Sequence, residues 1–292
     1  MKETALSYSG CQTARDLSYA DTSKSRYGRS IIRLMENSTG RQKLIKRAVG
    51  YEAEVAQGQG FFEVMARRYG LSLQVDAGSL THIPRRGPVI MIANHPYGIL
   101  DGLMMGRILS HRRDNFKIMA HSVFNKVPEL SDKLLPISFD GDKPALAMNL
   151  DTRRTALDYL AQGCAIGVFP GGTVSTAARP FSEPMDPSWH GFTARMIARS
   201  QAVVIPVYFD GHTSRLFQIA SHLNHTLRMG LLVQQFRKRV DKPVRVVIGE
   251  PIGRNVLNPL IKEPKAMMDF LRKATYELSP RPTKSFGLGL EF

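Results

Sequence analysis

Short apolar runs alternate with stretches of helical periodicity from Thr81 onward, and this alternation constrains the fold more than any other feature of the chain. Helical stretches at 102–110, 152–162, 189–200 and 226–240 separate the runs. Strands alternating with helices predict an α/β fold, a mostly parallel central sheet flanked by helices, with functional loops at the carboxyl ends of strands. The runs are five or six residues long and rich in Val, Ile and Ala, which indicates buried strands: Val89–Ala93, Phe116–Ala120, Ala165–Phe169, Val203–Tyr208 and Val244–Gly249.

Two further regions precede this alternating part. Residues 1–29 are polar and lack apolar periodicity, which predicts a flexible tail. The pattern of residues 30–80 predicts a basic, N-terminal helical region. A basic helix with an apolar stripe is typical of a membrane-surface element, and equally of a helix that packs on the main domain, so both interpretations stay open. We expect the α/β domain at residues 81–280, followed by a loose C-terminal tail at 281–292.

The net charge of +15 at pH 7 indicates an anionic partner, either nucleic acid or an anionic membrane leaflet, or else a generally basic surface. The common nucleic-acid-binding patterns are absent. Cys11 and Cys164 form no CxxC pattern, which argues against a structural zinc site and suits a reducing cytoplasm. Polar residues, including His95 and Asp101, interrupt the most apolar window, 88–106, so we expect no transmembrane helix.

The segment Asn94–Gly102 directly follows the first strong strand. A histidine there can take a proton from a hydroxyl near neutral pH, and a carboxylate can hold its tautomer and stabilise the resulting cation. His95 and Asp101 are six residues apart and would not share a face of a regular helix, but Pro96 and Gly98 predict a turn that folds Asp101 back. The alternative is an Asp101 that caps a helix beside a structural His95.

A second segment, Phe169–Thr176, also follows a buried strand. Its glycines, Gly171 and Gly172, bring backbone amides close to a ligand, where they can bind a phosphate or a developing oxyanion. Thr173 and Ser175 add hydroxyl donors.

Three segments resemble, in this order, three motifs of the glycerolipid acyltransferase family, of the lysophosphatidic acid acyltransferase type: Asn94–Asp101, Phe169–Ser175 and Val203–Val207. The resemblance covers roughly Gly87 to Ile252. The segment Phe209–Phe217 is similar to a bacterial subgroup named for hemolysins or for lyso-ornithine lipid O-acyltransferases.

The resemblance implies an O-acyltransferase that moves a fatty acyl chain from a thioester of acyl carrier protein or coenzyme A to the free hydroxyl of a lysolipid. It makes His95 the general base, oriented by Asp101, and implies no metal and no cofactor. We further expect a cytoplasmic protein on the inner face of the cell membrane, bound to anionic lipid rather than nucleic acid. The predicted substrate-binding residues are Asn94, Gly98, Phe169, Pro170, Gly171, Gly172, Thr173, Ser175, Arg179 and Arg215.

Two departures from the family pattern concern the acceptor. Five residues lie between His95 and Asp101, where the family usually has four. The common Phe-Pro-Glu-Gly-Thr-Arg-Ser motif carries Gly171 in place of Glu and Val174 in place of Arg. Since that motif binds the acceptor's phosphate in the wider family, the change favours another head group, such as that of lyso-ornithine lipid. Arg179 or Arg215 would then supply a substitute charge.

Three alternative functions remain. One is lysophosphatidic acid acylation in phospholipid synthesis, and another is a non-catalytic, basic membrane-binding protein. The third, a serine hydrolase, is disfavoured because the chain has no G-x-S-x-G elbow.

Overall fold

A seven-stranded sheet organises the residues that the computed structural model describes, which are 18–23, 25–138, 142–281 and 286–292. The strand order is β1-β9-β8-β2-β5-β3-β4, and every neighbouring pair is parallel except β8 and β9. A separate two-stranded sheet pairs β6 (Thr176–Ala177) with β7 (Pro184–Met185). The strands of the main sheet are β1 (Ser72–Gly78), β2 (Val89–Ala93), β3 (Phe116–His121), β4 (Leu134–Ile137), β5 (Ala165–Val168), β8 (Val203–Phe209) and β9 (Pro243–Ile248).

Helices cover both faces of this sheet, so its central strands read as continuous apolar runs rather than as alternating patterns. Every residue of β2 and of β5 is buried. The helices are α1 (Arg26–Thr39), α2 (Arg41–Ala48), α3 (Tyr51–Ala56), α4 (Phe61–Arg68), α5 (Ile99–Ser110), α6 (Lys143–Ala161), α7 (Gly191–Arg199), α8 (Arg215–Leu223), α9 (His225–Arg237), α10 (Arg254–Leu257) and α11 (Pro264–Tyr276). No helix of the described residues is long and apolar enough to cross a bilayer.

The predicted α/β class is confirmed, and all five predicted strands are present. The sequence patterns missed β1, β4, β6, β7, α8, α10 and α11. β4 lies at the edge of the sheet and is only four residues long, with Pro136 inside it, so its sequence gives little strand signal. β1 occupies the other edge and is half exposed, so it lacks a fully apolar run.

The N-terminal region is part of the same core. β1 lies within residues 30–80 and pairs with β9, and Leu44, Phe62 and Met65 of the preceding helices are buried in the main apolar cluster. The α/β unit therefore extends N-terminal of the predicted start at residue 81.

Both predicted tails include ordered segments. α1 begins at Arg26, inside the predicted flexible stretch 1–29, whose residues 1–17 lie outside the described part. At the other end, the N–H groups of Gly289 and Leu290 donate to the carbonyls of Asp186 and Thr176, at 2.9 and 3.0 Å. Residues 286–292 are therefore held against the domain rather than loose.

Candidate active site

Two loops meet at the carboxyl edge of the sheet, each directly after a central strand. β2 ends at Ala93, two residues before His95, and β5 ends immediately before Phe169. These strands are parallel neighbours with Ile92 opposite Val168, so their loops leave the sheet at the same level. The rings of His95 and Phe169 stack, with centroids 4.1 Å apart and an interplanar angle of 25°.

A turn at Gly98 brings Asp101 back to His95. Gly98 has a φ of +80°, which residues with a Cβ rarely adopt. Asp101 Oδ2 accepts hydrogen bonds from the N–H groups of Tyr97 (2.7 Å) and Gly98 (3.0 Å) and so caps α5. The same oxygen lies 3.0 Å from Nδ1 of His95. The predicted turn is confirmed, and Asp101 both caps the helix and faces the imidazole.

Asp101 is buried and His95 is partly exposed, and the two side chains do not form an aligned hydrogen bond. The Asp101 side chain is inaccessible to solvent, while that of His95 is 18% exposed. Burial raises the pKa of Asp101 above its usual value, although the contacts with His95 and two backbone N–H groups oppose this shift. His95 Nδ1 and Asp101 Oδ2 are at ion-pair distance without the alignment of a hydrogen bond. Because Nδ1 faces the carboxylate, Nε2 is the nitrogen that can exchange a proton with a ligand.

The loop after β5 brings backbone N–H groups to the same place. Gly172 has a φ of +67° and donates its N–H to the carbonyl of Phe169 at 3.0 Å, which closes a turn. This N–H is engaged in the turn and is not free for a ligand in this arrangement. The N–H groups of Gly171 and Thr173 have no acceptor among the described residues and can serve a ligand.

Three of the predicted substrate-binding residues lie behind these loops. The Asn94 side chain exchanges two hydrogen bonds with the backbone of Phe209, at 2.7 and 3.0 Å, and ties β2 to β8. Ser175 Oγ donates to Asp186 Oδ1 at 2.5 Å. Pro170 is buried, and none of the three lines the cavity described below. Their polar groups hold the loops in place and are not available to a substrate in this arrangement.

Asp186 joins the two loops and was missed by the sequence patterns. It is fully buried, and its Oδ1 also accepts from the N–H of His95 at 3.2 Å, while Oδ2 accepts from Trp189 Nε1 at 2.9 Å. No motif marks this residue, because its partners come from three separate segments of the chain.

A cavity of about 810 Å³ opens beside His95. Predicted site residues on its wall are His95, Gly98, Phe169, Gly171, Gly172 and Thr173. The rest of the wall is largely apolar, with contributions from Phe62, Met65, Leu103, Ile118, Leu134 and Val233. Such a space beside a polar cluster suits an aliphatic chain with a reactive end.

Arg179 and Arg215 do not line this cavity. Both are exposed, and the Arg215 guanidinium donates to the carbonyl of Phe181 at 3.2 Å beside a separate, smaller cavity of about 230 Å³. Two other arginines, Arg41 and Arg228, line the main cavity, and Arg228 of α9 was missed by the sequence patterns. A signal was present, since Arg228 shares a helical face with Leu231, Leu232 and Gln235, all of them buried.

Comparison with known proteins found a family model, two relatives and a structural neighbour. The acyltransferase family model matches residues 53–281. A lyso-glycine lipid O-acyltransferase of Phocaeicola vulgatus is 23% identical over 71% of this chain and 74% of its own length. A protein of the same name from Bacteroides thetaiotaomicron is 21% identical over 71% of this chain and 76% of its own. The crystal structure of the 1-acyl-sn-glycerophosphate (LPA) acyltransferase PlsC from Thermotoga maritima aligns with a TM-score of 0.46 at 15% identity, covering 95% of this chain and 93% of that one.

Proposed function

The chain belongs to the acyltransferase family, and from that premise we propose that it transfers a fatty acyl chain from a thioester to the free hydroxyl of a lysolipid with an amino-acid head group. One observation carries the proposal. His95, with Asp101 3.0 Å behind it, lines a largely apolar cavity of about 810 Å³. A base beside a space that fits an alkyl chain is what acyl transfer from a thioester to a lipid hydroxyl needs.

In the proposed reaction His95 Nε2 takes the proton of the acceptor hydroxyl as its oxygen attacks the thioester carbonyl. Asp101 stabilises the imidazolium that forms, after a small ring rotation aligns Nδ1 with Oδ2. The N–H groups of Gly171 and Thr173 bind the oxyanion of the tetrahedral intermediate. When the intermediate collapses, the C–S bond breaks and the sulfur takes the proton from His95, so the carrier leaves as a thiol. No covalent acyl-enzyme forms, because the acceptor hydroxyl attacks the thioester directly.

The acceptor assignment has two supports. Both curated relatives are named for lyso-glycine lipid acylation. Independently, the loop Phe169–Ser175 has Val174 where the resembled motif has the arginine that binds a phosphate. We extend the proposal to glycine and ornithine head groups, with lysophosphatidic acid as the alternative acceptor and acyl carrier protein or coenzyme A as the donor's carrier.

The test is an acylation assay with radiolabelled acyl thioesters of both carriers and a panel of lyso-glycine lipid, lyso-ornithine lipid and lysophosphatidic acid. We expect an alkali-labile ester product with an amino-acid lysolipid, and a loss of about 100-fold or more in rate for His95→Ala. His111→Ala is the matched control, because His111 is exposed at the end of α5. Equal rates in the wild type and His95→Ala would refute the mechanism, and product from lysophosphatidic acid alone would refute the acceptor assignment.

We also propose that the protein binds the inner face of the cell membrane through α1. Tyr27 and Leu34 are 78% and 70% exposed, and seven residues apart they lie on one side of the helix, flanked by exposed Arg26 and Arg29. Ser18, Tyr19, Asp21 and Thr22 line the cavity and precede this helix by only a few residues in the chain. A lipid would therefore reach the cavity from the surface that α1 contacts.

Replacing both Tyr27 and Leu34 with Ser should reduce sedimentation with anionic liposomes. The matched control replaces Leu146 and Leu150 of α6, which are 56% and 63% exposed and belong to a helix that packs on β4. An equal loss in the two double variants would contradict the assignment to α1.

A further inference from the structure

Arg228 is a buried cation beside the cavity. It is 1% exposed, and its guanidinium donates four hydrogen bonds to neutral oxygens. One terminal nitrogen reaches Oγ1 of Thr176 (2.7 Å) and Oγ of Ser221 (2.9 Å). The other reaches Oγ1 of Thr173 and the carbonyl of Val174, both at 2.9 Å. These contacts fix the guanidinium directly beneath the loop after β5.

No carboxylate of the described residues forms an ion pair with Arg228. The other arginine and the lysine on the cavity wall are paired, Arg41 with Glu36 and Lys126 with Asp21. Burial lowers the pKa of Arg228 to about 9, which leaves it cationic at pH 7. The guanidinium also lies over the rings of Phe292 and Phe217, 3.9 and 5.0 Å from their centroids, so its partners are aromatic faces and neutral oxygens. A buried charge without a carboxylate partner remains costly, which favours binding of an anion in the adjoining cavity.

Thr173 connects this charge to the cavity. Its Oγ1 accepts from Arg228, so its hydroxyl hydrogen must point elsewhere, and no described residue accepts it. Thr173 lines the cavity together with Gly171 and His95. A hydroxyl that accepts from a guanidinium is polarised and becomes a stronger donor to a ligand.

We propose that Thr173 and Arg228 form the subsite for an anionic oxygen group, a carboxylate or a phosphate, on the acceptor's head group. Thr173 makes the contact, and Arg228 supplies the charge and orients the hydroxyl. The subsite therefore selects acceptors by head-group charge, and this assignment rests on the proposed function.

The competing explanation is that Arg228 only latches the loop to α9. The two explanations differ for an uncharged acceptor. An Arg228 that only stabilises the loop would be needed for every acceptor, whereas a charge subsite matters only when the acceptor is anionic.

The experiment compares N-(3-hydroxyhexadecanoyl)glycine with its methyl ester, two acceptors that share the hydroxyl and differ in charge. For the free carboxylate we expect kcat/KM to fall about tenfold to hundredfold in Arg228→Gln, mostly through KM, with little change for the ester. Thr173→Val should show the same selective loss, and Arg228→Lys should recover part of the preference. Arg199→Gln, at the exposed end of α7, is the matched control for removing one positive charge. Equal losses for acid and ester in both Arg228→Gln and Thr173→Val would overturn the proposal.

A binding readout separates this inference from the proposed function. Trp189 is the only tryptophan and is linked through Asp186 to the N–H of His95, so its fluorescence can report ligand binding without turnover. Preferential binding of the acid over the ester, lost in Arg228→Gln, would support the subsite even if no acyl transfer occurred. Equal binding of acid and ester by the wild type would refute the subsite even if transfer did occur. A matching titration with lysophosphatidic acid and its uncharged monoacylglycerol shows whether the anion accepted is a phosphate or a carboxylate.

Discussion

Replacing Asp101 with Asn tests whether the charge of this carboxylate, rather than its packing, supports His95. The substitution is nearly isosteric, and the Asn oxygen can still accept from the N–H groups of Tyr97 and Gly98, which now bond to Asp101 Oδ2. The cap of α5 and the turn at Gly98 should therefore survive, and the variant should differ from the wild type chiefly by one negative charge.

The size of the effect follows from the geometry. Opposite unit charges 3.0 Å apart attract each other by about 5.5 kcal/mol at an effective dielectric constant of about 20. Since about 1.4 kcal/mol corresponds to a factor of ten in rate, complete loss of this attraction for the protonated imidazole would lower kcat by about 10⁴-fold. The dipole of the Asn amide returns part of that stabilisation, so we expect a decrease of about 10³-fold.

The assay is steady-state acyl transfer at pH 8, with the Trp189 fluorescence titration as a check that ligand binding is retained. Asp101→Ala is the companion variant, because it removes both the charge and the cap and should lower the melting temperature as well as kcat. A kcat for Asp101→Asn within about threefold of the wild type, with normal binding, would refute the role of the carboxylate charge in catalysis.

Three further predictions concern stability and cavity size. Burial raises the folded-state pKa of Asp101 above its unfolded value, so ionisation of this group costs folding free energy. The wild type should therefore gain stability relative to Asp101→Asn as pH falls through the folded pKa. A difference in melting temperature that is constant with pH would contradict this. Gly102 of α5 lines the cavity, and a Cβ at this position would meet no atom within 4 Å. Gly102→Ala should therefore add about 0.5–1 kcal/mol of stability with normal activity, whereas Gly102→Leu should slow long acyl donors relative to short ones. An unchanged chain-length preference in the Leu variant would place the acyl chain elsewhere. Asp186→Ala should lower the free energy of unfolding, measured by urea denaturation, by about 3 kcal/mol or more. The reason is that it leaves three donors without their acceptor: the N–H of His95, the Ser175 hydroxyl and the Trp189 indole. A loss below about 1 kcal/mol would show that these donors find other partners.

The predicted substrate-binding set shows how far motif reasoning reaches. Gly98, Gly171 and Thr173 do line the cavity, because residues that directly follow adjacent parallel strands must emerge at the same edge of the sheet. Asn94 and Ser175 belong to the same motifs but point into the protein, where each is saturated by a partner distant in sequence. A motif places a residue near a site, and the packing behind the loop decides which way its side chain faces.

Local sequence was sufficient for the parts of this protein that depend on short-range physics. Apolar runs specified the central strands, and the glycine at 98 specified the turn that returns Asp101 to His95. Only the tertiary structure decided that Arg228 reaches the cavity beside the loop after β5. The sequence offered Arg179 and Arg215 because they lie near the motifs, whereas Arg228, more than fifty residues beyond Thr173, arrives on α9 when that helix packs against the loop. Contacts across such separations depend on how whole elements dock, and no spacing within one segment records that outcome.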